Sequence, residues 1–495
     1  MNFEDIQEAT GYEQGLAAEY ARQENQAILE ELERKKRARS IAVPTDDGRV
    51  RKRLRELGEP ITLFGERAAD RRARLIQLIS KRDDYETQEA MEVDSEDSEE
   101  AEEFYTVGSE ELAEARRQIA EYSLPRARLR ILRQKQEAKI PLTRVIDMRR
   151  EFFRVVKTFA NIGSQIGDER PLAQVRFSPD GKRLATGSWA GVVKTWSIPG
   201  CDPLTTHRGH SDKIGGVAWH PSATLSLSPA SANLVSGGGE GNVHLWSLDN
   251  EMPLAVLEGH KARVARVCFH PSGNYVMSAS FDGTWRLWDV NTTKELLSQP
   301  GHSKEVFAIA CQVDGSLVAS AGLDAFGRIW DLRTGRTAMI LNGHVQPIYA
   351  LDFSPNGFQV ATGGADDTIR IWDIRALKAV TTIPAHRSTI SDIRFFHSSS
   401  PLVSLNTAND NTMDMDGSAS DDQVYEKYRS GLFFASSGYD GQVKIWSSDD
   451  WQLVKSMKLD VNMVMSVDIT GDGQLIATGD HGRNFQLYAA EGYSV

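Results

Sequence analysis

In the C-terminal two thirds of this sequence, three kinds of polar residue recur at fixed distances from a tryptophan, and together they could do chemistry. Before Trp288 stand His260, Ser278 and Asp282; before Trp330 stand His302, Ser320 and Asp324; before Trp372 stand His344, Thr362 and Asp366. An imidazole, a hydroxyl and a carboxylate are the parts of a nucleophilic triad, in which the base takes the hydroxyl proton and the acid orients the base. Recurrence argues against that use, because an active site is needed once and this set appears in unit after unit. The same groups make sense as a buried chain of hydrogen bonds running through imidazole, hydroxyl and indole, each bond worth about 1 kcal/mol net. Gly237 to Gly241 could suggest a phosphate cradle, but the run lacks the Gly-Lys-Ser/Thr sequel of a phosphate-binding loop and falls where the repeat needs a turn. No Cys/His spacing has the form of a metal site. The expectation is a non-enzyme with no catalytic residue, no cofactor and no metal.

Such groups must be held by a repeated element. Trp246, Trp288, Trp330 and Trp372 are 42 residues apart, Trp196 precedes them, and Trp446 and Tyr488 complete seven units. The two longer gaps imply insertions near 223–231 and 399–430, both composed like surface loops. Glu240 and Asp440 stand six residues before Trp246 and Trp446, as the other acids do before their tryptophans, and His210 and His386 keep the phase once those insertions are removed. Turn chemistry such as Ser178-Pro-Asp-Gly181 separates short apolar runs, which fits four strands per unit. The Gly-His to Trp-Asp pattern, with Asp289, Asp331 and Asp373 after their tryptophans, resembles the WD40 repeat. That resemblance implies an all-β seven-bladed WD40 β-propeller over residues 160–495, arranged around a central channel.

The end units depart from the pattern. Asp168 and Asp460 take the histidine place, Ala190 and Gly482 the acidic place, and Tyr488 the tryptophan place. Seven residues after Tyr488 are too few for an outer strand, so Asn161 to Ile166 is expected to complete the last blade and seal the ring. Partner contacts are expected on the propeller rim at Trp189, Arg263, Arg266, Phe281, Trp285, Phe326, Tyr349, Arg387 and Tyr439.

Composition narrows the setting. The chain has 495 residues, a formal net charge of −12 and all ten tryptophans at or after Trp189, so its aromatic core belongs to the repeats. No stretch is long and apolar enough for a membrane span, the opening residues do not form a secretory signal, and three cysteines suit a reducing compartment rather than a disulfide framework. Charge alternates in blocks before the repeats, acidic to residue 33, basic over 34–82, acidic over 83–114 and basic over 115–157. Blocks of this kind mark solvated interaction segments. The ring is therefore expected to follow a mainly helical, partly disordered N-terminal arm.

Within that arm, residues 1–42 form a charged helical segment ending in the basic cluster Arg34 to Arg39, which serves equally as a helix end or a nuclear-import signal. A small module follows at 43–82: a helix over 47–57 stopped by Gly58 and Pro60, an apolar hook at Ile61, Leu63 and Phe64, and a second helix from about Glu66 to Lys81. Its cations Arg49, Arg51, Lys52, Arg53, Arg55, Arg71, Arg72 and Arg74, with Phe64, are the candidates for RNA or an acidic partner. Residues 83–108 form an acidic disordered linker. A basic helical segment, broken at Pro125, spans 109–159 and lies either along RNA phosphates or on the propeller side.

The module resembles the splicing factor motif, and its union with seven WD40 repeats resembles the U4/U6 small nuclear ribonucleoprotein WD40 subunit, the pre-mRNA-processing factor four family. That resemblance implies a nuclear, non-catalytic scaffold of the U4/U6 and U4/U6·U5 tri-snRNP. Its implied partners are the companion pre-mRNA-processing factor three protein, U4 and U6 snRNA, other tri-snRNP proteins and, in many species, a spliceosomal cyclophilin. It implies no membrane and no small-molecule substrate. The other class that a propeller suits is an adaptor of a different nuclear assembly, a ubiquitin-ligase substrate receptor or a chromatin complex.

Overall fold

A computed structural model describes residues 47–61, 66–81, 108–137, 142–398, 431–459 and 463–491. The expectations for residues 1–42, the acidic linker up to residue 107, Phe64 and the insertion at 399–430 lie outside the described residues. The chain divides into two compact units, one through Glu102 and one from Glu103 onward.

In the first unit, α1 (Asp47–Glu56) and α2 (Ala68–Lys81) pack through Val50, Leu54 and Leu75, with Leu57 and Leu78 against them. Val50 and Leu54 are four residues apart and so share one helix face. Gly58 ends α1 in the left-handed conformation at φ 73°, where a side chain would be strained. The amide of Glu59 bonds the Leu54 carbonyl and that of Gly58 the Arg55 carbonyl, each at 3.0 Å, which satisfies the last carbonyls of the helix. α2 starts two residues later than the sequence suggests, because the Arg67 amide is captured by the Asp70 carboxylate at 3.0 Å and opens the first turn there.

The second unit is a ring of seven four-stranded antiparallel sheets. Six blades are simple meanders; blade 3, for example, runs Val264–Phe269, Tyr275–Ser280, Trp285–Asp289 and Glu295–Gln299 from the channel outward. The seventh takes its outermost strand, Ala160–Ile166, from before blade 1. That strand pairs antiparallel with Asn484–Ala489, setting Ala160 opposite Ala489 and Ile166 opposite Asn484. Adding it gives blade 7 the same four strands as the others and covers the edge of Asn484–Ala489.

The core lies between blades. One cluster joins Val235, Val243 and Leu257 of blade 2 to Val264, Val267, Phe269 and Trp288 of blade 3, and similar clusters fill the other gaps. Every inner strand carries a bulge after its first residue, at Ala173, Gly215, Ala265, Phe307, Tyr349, Ser391 and Met465. A bulge re-aims one side chain without disturbing the alternation that follows. At Gly215 nothing larger fits, since a Cβ there would meet the Val264 carbonyl of the next blade.

Two helices lie on the ring. α3 (Glu110–Glu137) buries Leu112, Ala115 and Ile119 against Tyr275, Trp285, Trp330 and Leu332. It does not break at Pro125. A proline inside a helix costs about 3 kcal/mol, and here α3 is held on both sides of it. Before it, Tyr122 donates to the Pro271 carbonyl at 2.7 Å; after it, Arg130 pairs with Asp314 at 2.7 Å and Gln134 donates to the Asn356 carbonyl at 2.8 Å. α4 (Leu142–Lys157) puts Phe152 and Val156 among Phe396, Phe433 and Tyr488, where blades 6 and 7 meet. Between the two placements open for this basic segment, its described residues take the propeller side.

Candidate interaction site

The recurrent polar set comes together in each of blades 2 to 6. In blade 3, His260 Nε2 lies 2.7 Å from Ser278 Oγ, its Nδ1 lies 2.8 Å from Asp282, and Trp288 Nε1 donates to Ser278 Oγ at 2.8 Å. His302, Ser320, Asp324 and Trp330 repeat this geometry, as do His344, Thr362, Asp366 and Trp372. A nucleophile must reach its substrate, but Ser278, Ser320 and Thr362 are fully buried and already hold an indole N–H. The hydroxyl is thus the hub of an internal clamp that ties the blade's entry corner to its third strand. Burial alone would raise the Asp282, Asp324 and Asp366 carboxyl pKa values; the histidine partners outweigh it and hold all three below the usual carboxylate range.

At one mouth of the channel, the bulges and the turns between second and third strands assemble a cation and aromatic cluster. The Arg263 guanidinium lies 5.4 Å from the Phe281 ring centre, Phe281 lies 6.3 Å from Phe307, and Phe307 meets Tyr349 edge-on at 5.0 Å. Trp189 packs edge-on to His481 at 5.6 Å, with the Lys213 ammonium 5.6 Å from its ring. Tyr439 follows the second strand of blade 6, and burial pushes its phenol pKa up. Phe326 and Arg387 are exposed. Arginine and aromatic side chains on a preformed rim are the composition of protein-binding hot spots.

Two residues expected on the rim lie elsewhere. Trp285 is 1% exposed, because it begins the third strand of blade 3 and fills the gap toward Trp330 beneath α3. Arg266 is buried in the channel, bonded to the Gly215 carbonyl and 5.0 Å from the Phe307 ring centre. It belongs to a charge network that spacing did not suggest. Arg176 pairs with Asp392 at 3.0 Å, and Arg394 lies 3.6 Å from Asp352 and 3.9 Å from Asp468. All sit at the third or fifth place of an inner strand, the side chains that alternation turns into the channel. Burial opposes ionisation of Asp392, and the surrounding arginines outweigh it, so its pKa is lowered.

In the first unit, two candidate arginines face inward. Arg71 makes two bonds to the Asp47 carboxylate, at 2.9 and 3.1 Å, and a third to the Glu66 carbonyl at 3.2 Å. Arg74 makes two to Glu66, at 2.7 and 3.0 Å, and one to the Pro60 carbonyl at 2.8 Å. These pairs join the ends of the two helices. Arg51 bonds Asp47 at 2.7 Å but stays half exposed, Arg53 pairs with Glu56 at 3.0 Å, and Lys52 and Arg55 point to solvent along with Arg49. Arg72 is part-buried.

Family models match both units. The pre-mRNA processing factor 4 (PRP4) like model covers residues 50–78, and the WD domain, G-beta repeat model covers 162–197, 201–247, 251–289, 293–331, 335–373 and 428–447. Seven sheets with the repeated clamp define a WD-repeat β-propeller protein. Among relatives, the U4/U6 small nuclear ribonucleoprotein Prp4 of Homo sapiens is 41% identical over 208 residues, 40% of this chain and 39% of that protein. The U4/U6 small nuclear ribonucleoprotein PRP4-like protein of Arabidopsis thaliana is 38% identical over 211 residues, 40% of this chain and 38% of that protein. The U4/U6 small nuclear ribonucleoprotein PRP4 of Saccharomyces cerevisiae is 33% identical over 190 residues, 37% of this chain and 40% of that protein. The chain thus matches about two fifths of the length of each. It combines the pre-mRNA processing factor 4 (PRP4) like motif at 50–78 with the WD40 repeats that follow it.

Proposed function

We propose that this chain is a non-catalytic, nuclear scaffold subunit of the U4/U6 small nuclear ribonucleoprotein and of the U4/U6·U5 tri-snRNP. The observation that carries this reading is the joining of the residue 50–78 motif to a propeller whose polar clusters are internal clamps. In this reading the module at 43–82 engages U4/U6 snRNA and the companion pre-mRNA-processing factor three protein. Lys52 and Arg55 are its outward cations, while Arg71 and Arg74 hold its helices together. The rim at Arg263, Phe281, Phe307 and Tyr349 takes other snRNP proteins, a spliceosomal cyclophilin among the candidates. Backbone contacts of this kind give affinity, and RNA pairing supplies the sequence.

The test is recovery of U4 and U6 RNA from nuclear extract on the tagged full-length chain. Wild type is expected to enrich both. The double charge reversal Lys52→Glu, Arg55→Glu is expected to lower recovery at low salt, with the difference from wild type shrinking as salt is raised. Recovery of ubiquitin-ligase or chromatin subunits with neither RNA would favour the adaptor reading and end this one.

A further inference from the structure

Blade 2 differs from its neighbours at two places that touch. Two residues before the blade tryptophan, blades 3, 4 and 5 carry Arg286, Arg328 and Arg370, and blades 1 and 6 carry Lys194 and Lys444; blade 2 carries His244. Where blades 3 to 6 have an aspartate, blade 2 has Glu240. His244 lies opposite Ser236 in the sheet, is 4% exposed, and stacks on His210 with ring centres 3.8 Å apart and planes 9° apart. The longer acid reaches both rings: its carboxylate accepts from His210 Nδ1 and stands 3.9 Å from His244 Nε2. One donor atom from each residue lies within 4.8 Å of the others. Two further atoms of the cluster, His244 Nδ1 and Glu240 Oε2, are buried with no hydrogen-bond partner among the described residues. A buried polar atom without a partner is costly, so the unpartnered Glu240 oxygen points to something the cluster can bind, while His244 faces that carboxylate with its other nitrogen, Nε2.

We propose that His210, Glu240 and His244 form a binding site for a divalent transition-metal ion with the ligand preferences of zinc. Two imidazoles and one carboxylate are an established zinc donor set that leaves a coordination position for solvent. In blades 1 and 3 to 6 an arginine or lysine at the His244 place would repel a cation, and blade 7 has Gln486 there with Gly482 in place of the acid, so the site is specific to blade 2. Burial beside His210 holds the His244 pKa down at about 4, which leaves its ring neutral and its lone pair free near neutral pH. Glu240 stays ionised: burial would raise its pKa, but His210 lowers it.

Coordination uses His210 Nδ1, His244 Nε2 and a Glu240 oxygen. The His210 proton moves from Nδ1 to Nε2, where it is donated to Ser236 Oγ, 2.6 Å away; no proton leaves the ring. Ser236 then orients a ligated histidine, as outer partners of metal-bound imidazoles do. His244 turns about its Cβ–Cγ bond out of the stack, so that both lone pairs converge on the ion. The turn after Ser236 is tied to the rim, because the Gly239 amide donates to the Lys213 carbonyl at 2.8 Å and the Lys213 ammonium lies against Trp189. A bound ion would therefore fix the corner that presents Lys213 and Trp189.

The experiment is calorimetric titration of chelator-stripped full-length chain with Zn²⁺ alone, with Co²⁺ absorption reporting nitrogen ligation. Wild type is expected to bind one equivalent and to melt at a higher temperature with it. His244→Arg, which restores the residue of blades 3 to 5, and the isosteric Glu240→Gln are each expected to weaken binding at least tenfold, the scale on which even outer-shell changes act. No stoichiometric binding by wild type, or an equivalent that survives both substitutions, overturns the proposal.

Discussion

Blades 3 and 7 share four antiparallel strands and the same inner bulge, yet they are held in different ways. In blade 3, Trp288, Ser278, His260 and Asp282 close a polar circuit between one sheet and its own entry corner. In blade 7 the indole is replaced by Tyr488, whose hydroxyl turns to Gln486 at 2.8 Å, and the hub hydroxyl, Thr478 Oγ1, is buried with no partner among the described residues. What blade 7 has instead is remote chain: the strand Ala160–Ile166 on its edge, with Phe152, Val156 and Phe159 in the cluster where it meets blade 6. A local polar clamp and a borrowed strand with its helix are thus alternative ways to hold a blade, and the end blade uses the second.

Three sets of substitutions in the full-length chain test this contrast, and the first carries the greatest effect. Phe152→Ala should cost about 3–5 kcal/mol of unfolding free energy, because Phe152 is 4% exposed with its ring centre 5.2 Å from Phe433. A loss below about 1 kcal/mol in urea unfolding would mean α4 does not help hold blade 7 at its junction with blade 6.

Ser278→Ala should cost about 2–4 kcal/mol, because it strands both the Trp288 N–H and an imidazole nitrogen, each worth about 1–3 kcal/mol when buried unpaired. The matching change in blade 7, Thr478→Val, removes a hydroxyl that bonds nothing described and should be neutral or mildly stabilising. Calorimetric melting that ranked the two the other way would refute a polar clamp confined to the regular blade.

The weakest effect is a difference in pH dependence between two acids. The Asp282 pKa is lowered in the folded protein, so its contribution is present above the ordinary carboxylate range and fades as pH falls through the folded value. Asp282→Asn should therefore destabilise at pH 7 and converge on wild type in acid. The Asp480 pKa is raised by burial, so its ionised form works against folding above the ordinary carboxylate range. Asp480→Asn should be neutral or stabilising at pH 7, and its advantage should disappear on acidification. Melting temperatures from pH 3 to 7 would give two curves of opposite slope; parallel curves would mean that the two acids sit in equivalent surroundings.

The repeat was legible because its phase is written in large and polar residues at constant spacing. Trp288, Trp330 and Trp372 with their histidines and hydroxyls can be counted without coordinates. The channel network was not legible. Its places are filled by Arg176, Ala218, Cys268, Ala310, Asp352, Arg394 and Asp468 in successive blades, so no single blade repeats the pattern, and the charges balance only around the ring. The bulges were equally silent: Phe307 alternates like any strand residue and reaches the mouth because the register skips beside it. Trp285 failed for the opposite reason, since a tryptophan after a turn looks like rim until α3 covers it. Arg71 and Arg74 looked like surplus charge because Asp47 is 24 residues from Arg71 and Glu66 precedes the helix that carries Arg74.

The strand at 160–166 is made before any blade yet is the last to find its place. Asn161 bonds Gln486, 325 positions further along the chain. Loops that long close late, after nearer contacts have formed. A growing chain must therefore keep this segment unpaired, with α4 beside it, until the strand Asn484–Ala489 has left the ribosome. A nascent chain interrupted anywhere in the repeats would carry both an open sheet edge and an unused strand able to fill it. The seam is thus where two copies could exchange segments, and where completion of the ring reports that synthesis has passed the seventh blade.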